Sequence, residues 1–314
     1  MATLLQFLVA APPTPRSAAD AAEFWAQHLA AAPLAGDAPR PFDLAAAGGF
    51  IADRLGYAFL AGYGAALQQL VGAPILTPTA LCATEVGGAH PKAMATELTR
   101  TQAGWEMSGR KSFVTFGPLV QTLLVIAKDA AATDAKGRSE LALVRIPVER
   151  SGVTIERQPD LPFVPEIPHA AICFERVQIA PDERLPGDGY VRYLKPFRTI
   201  EDCHVMAAAL GWLVQVARRC DWPRPSVQEL LMLIAAGREL AACPPLESGT
   251  HVALGGWLAS IERAIAGTAE HRALVDAPTR ERWERDQPLL KVAGKVRAQR
   301  LATAWERLQT PAAD

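Results

Sequence analysis

The sequence predicts an α+β fold in three parts, and three observations predict it. The spacing of apolar residues is helical up to about residue 77. It becomes strand-like from 78 to about 187 and returns to a helical period in the C-terminal third. The expected architecture is an N-terminal helical domain (1–77), a central β-barrel or sandwich domain (78–187) and a C-terminal four-helix bundle (188–314). A chain of 314 residues is long enough for two or three cores.

The first part is rich in Ala and Leu. Ser17 is placed to cap a helix running through Glu23, Phe24, Trp25 and Leu29, which Ala32-Pro33 stops. Asp43 is placed to cap a second. Its apolar positions Phe50, Ile51, Leu55, Phe59, Leu60, Tyr63, Leu67 and Leu70 recur every three or four residues, with a break expected near Gly56. In the middle part, six short apolar runs read as strands: Leu81–Thr84, Ser112–Phe116, Thr122–Ala127, Leu141–Ile146, Val153–Arg157 and Ala170–Phe174. Turns of Gly, Pro, Asp and Lys separate them. Four helices are expected after Pro196, over Val205–Val216, Val227–Leu240, Val252–Ile265 and Glu284–Leu308. Pro223, Pro225, Pro244, Pro245 and Pro278 mark the breaks.

Composition narrows the function classes. Lys and Arg total 32 against 33 Asp and Glu, so the chain lacks the basic footprint of a nucleic-acid binder, and a local basic pocket for one phosphorylated ligand stays open. No apolar run reaches the roughly 20 residues that span a bilayer. Leu4–Ala11 has no Lys or Arg before it, so it reads as the start of a folded domain and not as a signal peptide. The five cysteines are widely spaced, without a CxxC pair. They suit neither a zinc site nor a disulfide framework, and a cytoplasmic protein with free thiols is expected.

The motifs sharpen this reading. Leu81-Cys-Ala-Thr-Glu-Val-Gly-Gly-Ala-His90 is followed by Gly104-Trp-Glu-Met-Ser-Gly-Arg-Lys-Ser-Phe-Val-Thr-Phe-Gly117 and the apolar run Leu123–Ala127. In this order and spacing the segments resemble the acyl-CoA dehydrogenase family, with its "TEPGAGSD"-like turn and "GW-x-(L/I)-NG-x-K-x-(W/F)-IT-NG" strand. Val177–Gly187 resembles the family's exit from the β domain, and Ala207-Ala-Ala-Leu-Gly211 its "AAGAVG" helix. The resemblance covers about 78–217.

A family member carries FAD, a flat cofactor that needs an apolar wall and a few donors at its polar edge. The resemblance places Thr84, Phe113 and Thr115 on it. Strict alternation along a strand would set Phe113 and Thr115 on one face. Read on spacing alone, Phe113 is rather a core aromatic and Thr115 a satisfied strand hydroxyl; the surrounding motif reverses that reading. His90 stands where the family has a serine near the flavin pyrophosphate or the thioester, and Gly87-Gly88 before it permits close backbone approach to an anion. It reads equally as a surface loop residue.

Most members remove the α-proton of the substrate with a late glutamate after an "RD" pair. Counted from Arg285-Asp286, that place is Gly294. The isovaleryl-CoA and long-chain acyl-CoA dehydrogenases carry the base earlier, ten residues before a glycine that corresponds to Gly211. That count reaches Glu201. Glu201 reads alternatively as a first-turn carboxylate at a helix start. Asp202 beside it would resist its ionisation. The family's "R-x-x-FG" arginine, which reaches a partner subunit's flavin, is replaced by Arg218-Arg-Cys-Asp-Trp-Pro-Arg-Pro225, where Arg218 or Arg219 could substitute.

The resemblance implies an FAD-dependent enzyme that oxidises an acyl-CoA thioester to its α,β-enoyl form. Glu201 would be the base, an electron-transfer flavoprotein the acceptor, and the assembly a homodimer or homotetramer, with no metal. A non-catalytic binding or assembly subunit on the same fold is the alternative, and a flavin oxidase or monooxygenase a third. Trp283, Leu289, Leu290, Val292, Val296 and Leu301 are candidates for a bundle interface and equally for one subunit's core.

Overall fold

A computed structural model describes residues 3–30, 39–88, 91–133 and 139–309. The run Leu123–Ala127 is wholly buried. A strand buried on both faces must have neighbours on both edges, and this one does. The strands are β1 (Thr79–Cys82), β2 (Glu97–Thr101), β3 (Gly104–Thr115), β4 (Thr122–Thr133), β5 (Ser139–Pro147), β6 (Val153–Arg157) and β7 (His169–Ile179). They make one seven-stranded sheet in the order β1-β4-β2-β3-β7-β6, with β5 on β4. β1 and β2 pair parallel with β4, at Thr122–Val125 and at Lys128–Asp129, so they lie end to end along one edge of it. β5 runs antiparallel along the other edge. The remaining pairings are antiparallel.

All six expected strands are present. β2 was not expected, because Leu98 is the one apolar residue in Glu97–Thr101. Its place in the sheet comes from its partners β3 and β4 and leaves little mark on its own sequence.

The helices are α1 (Leu4–Ala10), α2 (Ala21–Ala30), α3 (Pro41–Ile51), α4 (Leu55–Val71), α5 (Lys195–Arg219), α6 (Arg224–Leu240), α7 (Ser248–Gly267), α8 (Ala277–Asp286) and α9 (Gly294–Gln309). Several boundaries differ from expectation. Asp20, not Ser17, accepts the Glu23 N–H at the start of α2 (2.8 Å). The stop expected at Ala32-Pro33 lies outside the described residues. Arg40 precedes α3, and Asp43 sits inside its first turn. The break between α3 and α4 falls at residues 52–54, ahead of Gly56. The C-terminal region has five α-helices where four were expected. Pro288 lacks an N–H to continue α8, so the span 284–308 splits into α8, a 3-10 segment Gln287–Lys291 and α9.

The chain divides into two compact units: Met1–Gln69 with Pro162–Val164 and Thr199–Asp314, and Leu70–Leu161 with Pro165–Arg198. The helical stretches at the two ends, read separately in the sequence, therefore form one unit. Glycine makes this packing feasible. A Cβ at Gly49 of α3 would lie 1.9 Å from the Ala208 carbonyl oxygen, and one at Gly211 of α5 would lie 2.0 Å from that of Ala46. The two helices meet backbone to backbone, which accounts for their alanine and glycine content. Polar ties run alongside. Arg218 donates to the carbonyls of Leu8 (2.6 Å) and Ala11 (2.8 Å) at the end of α1. Arg238 forks onto Asp43 with two bonds of 2.7 Å.

Candidate functional site

Thr84 lies beside β3, the strand that carries Phe113 and Thr115. The Ser112 N–H donates to the Thr84 carbonyl (2.9 Å), which sets Thr84 beside the residue preceding Phe113. Below them lies a buried ion pair. Lys111, with no exposed surface, places Nζ 2.6 Å from Glu85 Oε1, and Glu85 also accepts the N–H groups of Ala95 (2.7 Å) and Thr96 (3.1 Å). Burial pushes the Lys111 ammonium below its ordinary range. Burial opposes ionisation of Glu85, but Lys111 and the two backbone donors outweigh it and hold the carboxyl below the usual carboxylate range. Cys82, pushed up to about 12 by burial, stays a neutral thiol beside them. Glu85 follows Thr84 and Lys111 lies two residues before Phe113, so the pair joins the two motif segments to each other.

Phe113 does not follow strict alternation. The β3–β7 register shifts between Lys111 and Val114, and Phe113 has φ 53°. The bulge turns its ring outward, 58% exposed, whereas Thr115 is 8% exposed. The expected shared face is thus replaced by an aromatic ring standing out from the sheet and a threonine set back beside it. Phe113 is not core. Its N–H, freed from the ladder by the bulge, donates to Gln158 Oε1 (2.9 Å). His169 pairs with Thr115 across the ladder, and its Nδ1 is buried with no hydrogen-bond partner among the described residues. Burial lowers the pKa of this imidazole, against the opposing pull of the Ile167 backbone and Asp160. Sequence reasoning passed over Gln158 and His169. Both lie near Pro159 and Pro168, where no apolar period advertises them. His90 lies outside the described residues.

The same unit holds a cleft of about 630 Å³ lined by Lys92, Lys128, Glu140, Asp188 and Tyr190, among others. Asp188 is already engaged there, accepting the N–H groups of Tyr190 (2.9 Å) and Val191 (2.6 Å) at the start of a π-helical segment, Gly189–Leu194, that leads into α5.

In the helical unit, Glu201 is half-buried on α5. α5 begins at Lys195, so Glu201 lies in its second turn and is not a first-turn capping carboxylate. Asp202 next to it accepts from Arg297 Nε (2.8 Å) and from Arg300 (2.5 Å). Two guanidiniums thus answer the Asp202 carboxylate. Gly294 is the first residue of α9, and a Cβ there would meet nothing within 4 Å. It lines a cleft of about 500 Å³ with His251, Leu258, Arg297 and Arg300. Arg218 is spent on the carbonyls of α1, and Arg219 donates to Asp276 (2.7 Å) and to Thr279 (3.0 Å). Both arginines are bonded within their own unit. Trp283 and Leu290 are core, while Val292 and Val296 are exposed. No group of three or more potential metal ligands occurs among the described residues.

Residues 80–177 match the family model described as acyl-CoA dehydrogenase, middle domain. The span includes Thr84, Phe113, Thr115, Gln158 and His169. No curated protein matches the chain. Among solved structures, the chain is similar to butyryl-CoA dehydrogenase from Megasphaera elsdenii, with 16% identity, 85% of this chain and 80% of that chain covered, and a TM-score of 0.61. It is also similar to FMN-bound TdsC from Paenibacillus sp. A11-2, with 16% identity, coverage of 87% and 85%, and a TM-score of 0.65. A third is the structure described as electron transferring flavoprotein of Acidaminococcus fermentans, with 13% identity, coverage of 85% and 81%, and a TM-score of 0.63. Identities of this size show a shared fold.

Proposed function

We propose that this chain, which carries an acyl-CoA dehydrogenase middle domain at residues 80–177 within that family's fold, is an FAD-dependent oxidoreductase acting on an acyl-CoA thioester. The observation that carries the reading is Thr84 beside the strand of Phe113 and Thr115, inside the matched span. An aromatic ring 58% exposed fits the flat apolar face of a flavin. Phe113 would form the wall, and the Thr84 and Thr115 hydroxyls would bond the pyrimidine edge. His90 is proposed near the pyrophosphate or the thioester. Bound FAD supplies the hydride acceptor for oxidation of the Cα–Cβ bond. Lys92 and Lys128 suit the phosphates of a coenzyme A ester.

Glu201 is the proposed base and takes the α-proton onto its carboxylate. The enolate-like charge that develops on the thioester carbonyl calls for fixed donors. An electron-transfer flavoprotein is the proposed acceptor, and the assembly is proposed to be a homodimer or homotetramer. No helix among the described residues is long and apolar enough to cross a membrane.

Anaerobic stopped-flow reduction by acyl-CoA esters of short to long chain tests the reading. Glu201→Gln should leave FAD binding intact and slow flavin reduction about 10²–10⁴-fold, the usual weight of a positioned base. Reduction at the wild-type rate would remove Glu201 from the chemistry.

A second reading, a fold relative that binds without turnover, draws on Gly294 and on the commitment of Arg218 and Arg219 to their own chain. Failure of every ester to reduce a yellow wild-type protein favours it. Gly294→Glu, which has open space, then asks whether the late base was the one missing part. Oxygen consumption without an added acceptor would favour the oxidase or monooxygenase reading.

A further inference from the structure

The exposed ring of Phe113 rests on a backbone conformation that few side chains adopt. A non-glycine residue at φ 53° persists only where its surroundings determine it. The surroundings can be read bond by bond. Before it, the Ser112 N–H is held by the Thr84 carbonyl (2.9 Å). After it, Val114 and Thr115 re-enter the ladder opposite Ala170 and His169. Between these fixed points the Phe113 N–H has left the sheet, and its acceptor is a side chain, Gln158 Oε1, at 2.9 Å. Gln158 itself is tied down: its own N–H donates to the His169 carbonyl (2.9 Å), one step beyond the last β6–β7 pair, Arg157 with Ala170. Its amide oxygen is therefore presented from a fixed base.

We propose that Gln158 is a positioning residue that holds the Phe113 bulge open and so presents the ring outward as the flavin wall. This rests on the FAD reading above. The action of Gln158 runs through the backbone N–H of residue 113. Without the acceptor, the Phe113 N–H must find water or return to the ladder, and a return to the ladder would swing the ring toward the sheet.

The test separates the two claims. In Phe113→Trp labelled with 5-fluorotryptophan, the new ¹⁹F resonance reports the environment of residue 113 without any flavin. Adding Gln158→Leu should shift or broaden that resonance, and Gln158→Glu, which keeps an acceptor oxygen, should restore it. With Phe113 in place, Gln158→Leu should weaken FAD binding about fivefold, the weight of one net hydrogen bond, and change the visible circular dichroism of the bound flavin. Gln158→Glu should recover both. An unchanged ¹⁹F resonance in the leucine variant overturns the proposal. A changed resonance with unchanged FAD affinity upholds the positioning role and refutes Phe113 as the flavin wall.

Discussion

Replacing Lys111 by Met removes one half of the buried pair that joins the two motif segments. Lys111 has no exposed surface, and Glu85, at 2.6 Å, is the one carboxylate bonded to it among the described residues. Breaking a buried pair from one side costs about 3–5 kcal/mol, because the partner stays buried and uncompensated. In Lys111→Met the Glu85 carboxylate keeps the N–H groups of Ala95 and Thr96, which places the loss near 3 kcal/mol. Glu85→Ala is the harsher change. It leaves a buried ammonium with only the Met94 sulfur at 2.7 Å and strips two backbone donors of their acceptor, for about 5 kcal/mol. The double variant should lose less than the sum by about 2–3 kcal/mol. Urea unfolding gives the free energies. Hydrogen exchange over residues 79–88 and 104–116 shows whether the loss is local to β1 and β3. A Lys111→Met protein within about 1 kcal/mol of wild type would refute the argument that this pair holds the two segments together.

Other expectations follow from burial. Burial pushes His28 and His204 down to about 4, so each is carried neutral in the fold. Their folded values lie below the unfolded value of 6.5, so the stability they contribute is whole above about pH 6.5 and falls as pH drops toward 4, by up to about 3 kcal/mol each. Urea midpoints from pH 7.5 to 4.5 should show this slope, and His204→Gln should flatten part of it; a slope unchanged by that substitution contradicts the assignment. Gly211→Ala puts a Cβ 2.0 Å from the Ala46 carbonyl oxygen and should destabilise the helical unit by about 3 kcal/mol or more, read as a lower urea midpoint. Gly294→Ala, with open space around its Cβ, is the control and should stay near wild type.

The β unit was legible because its strands are made of what strands need: short apolar runs between turn residues. β2 escaped because the sheet recruits it through a single leucine. The two motif segments are neighbours in the fold, tied by the bond from the Ser112 N–H to the Thr84 carbonyl. Their geometry was not legible, since a bulge at Phe113 is a backbone event that the alternation Phe-Val-Thr conceals. Glu85 and Lys111 stood in the quoted motifs, yet a charge in a sequence reads as surface until its partner is seen. α3 and α5 were harder. Nearly all of α3 is buried, so no amphipathic stripe marks an inward face, and glycines there set a backbone contact that periodicity does not encode. The late helix was misread as continuous because the apolar spacing carries through Pro288, while the missing N–H ends the helix. Asp202 was read only as a second carboxylate beside Glu201 because Arg297 and Arg300 are 95 and 98 residues away in the chain.

The most direct test of the account is equilibrium titration of the purified chain with FAD. The account predicts one FAD per chain, with binding lost or severely weakened when Phe113→Ala and Thr115→Val are combined in a protein that keeps its fold by circular dichroism. Binding unchanged in that double variant, or no binding by the wild type at any FAD concentration reached, would contradict it.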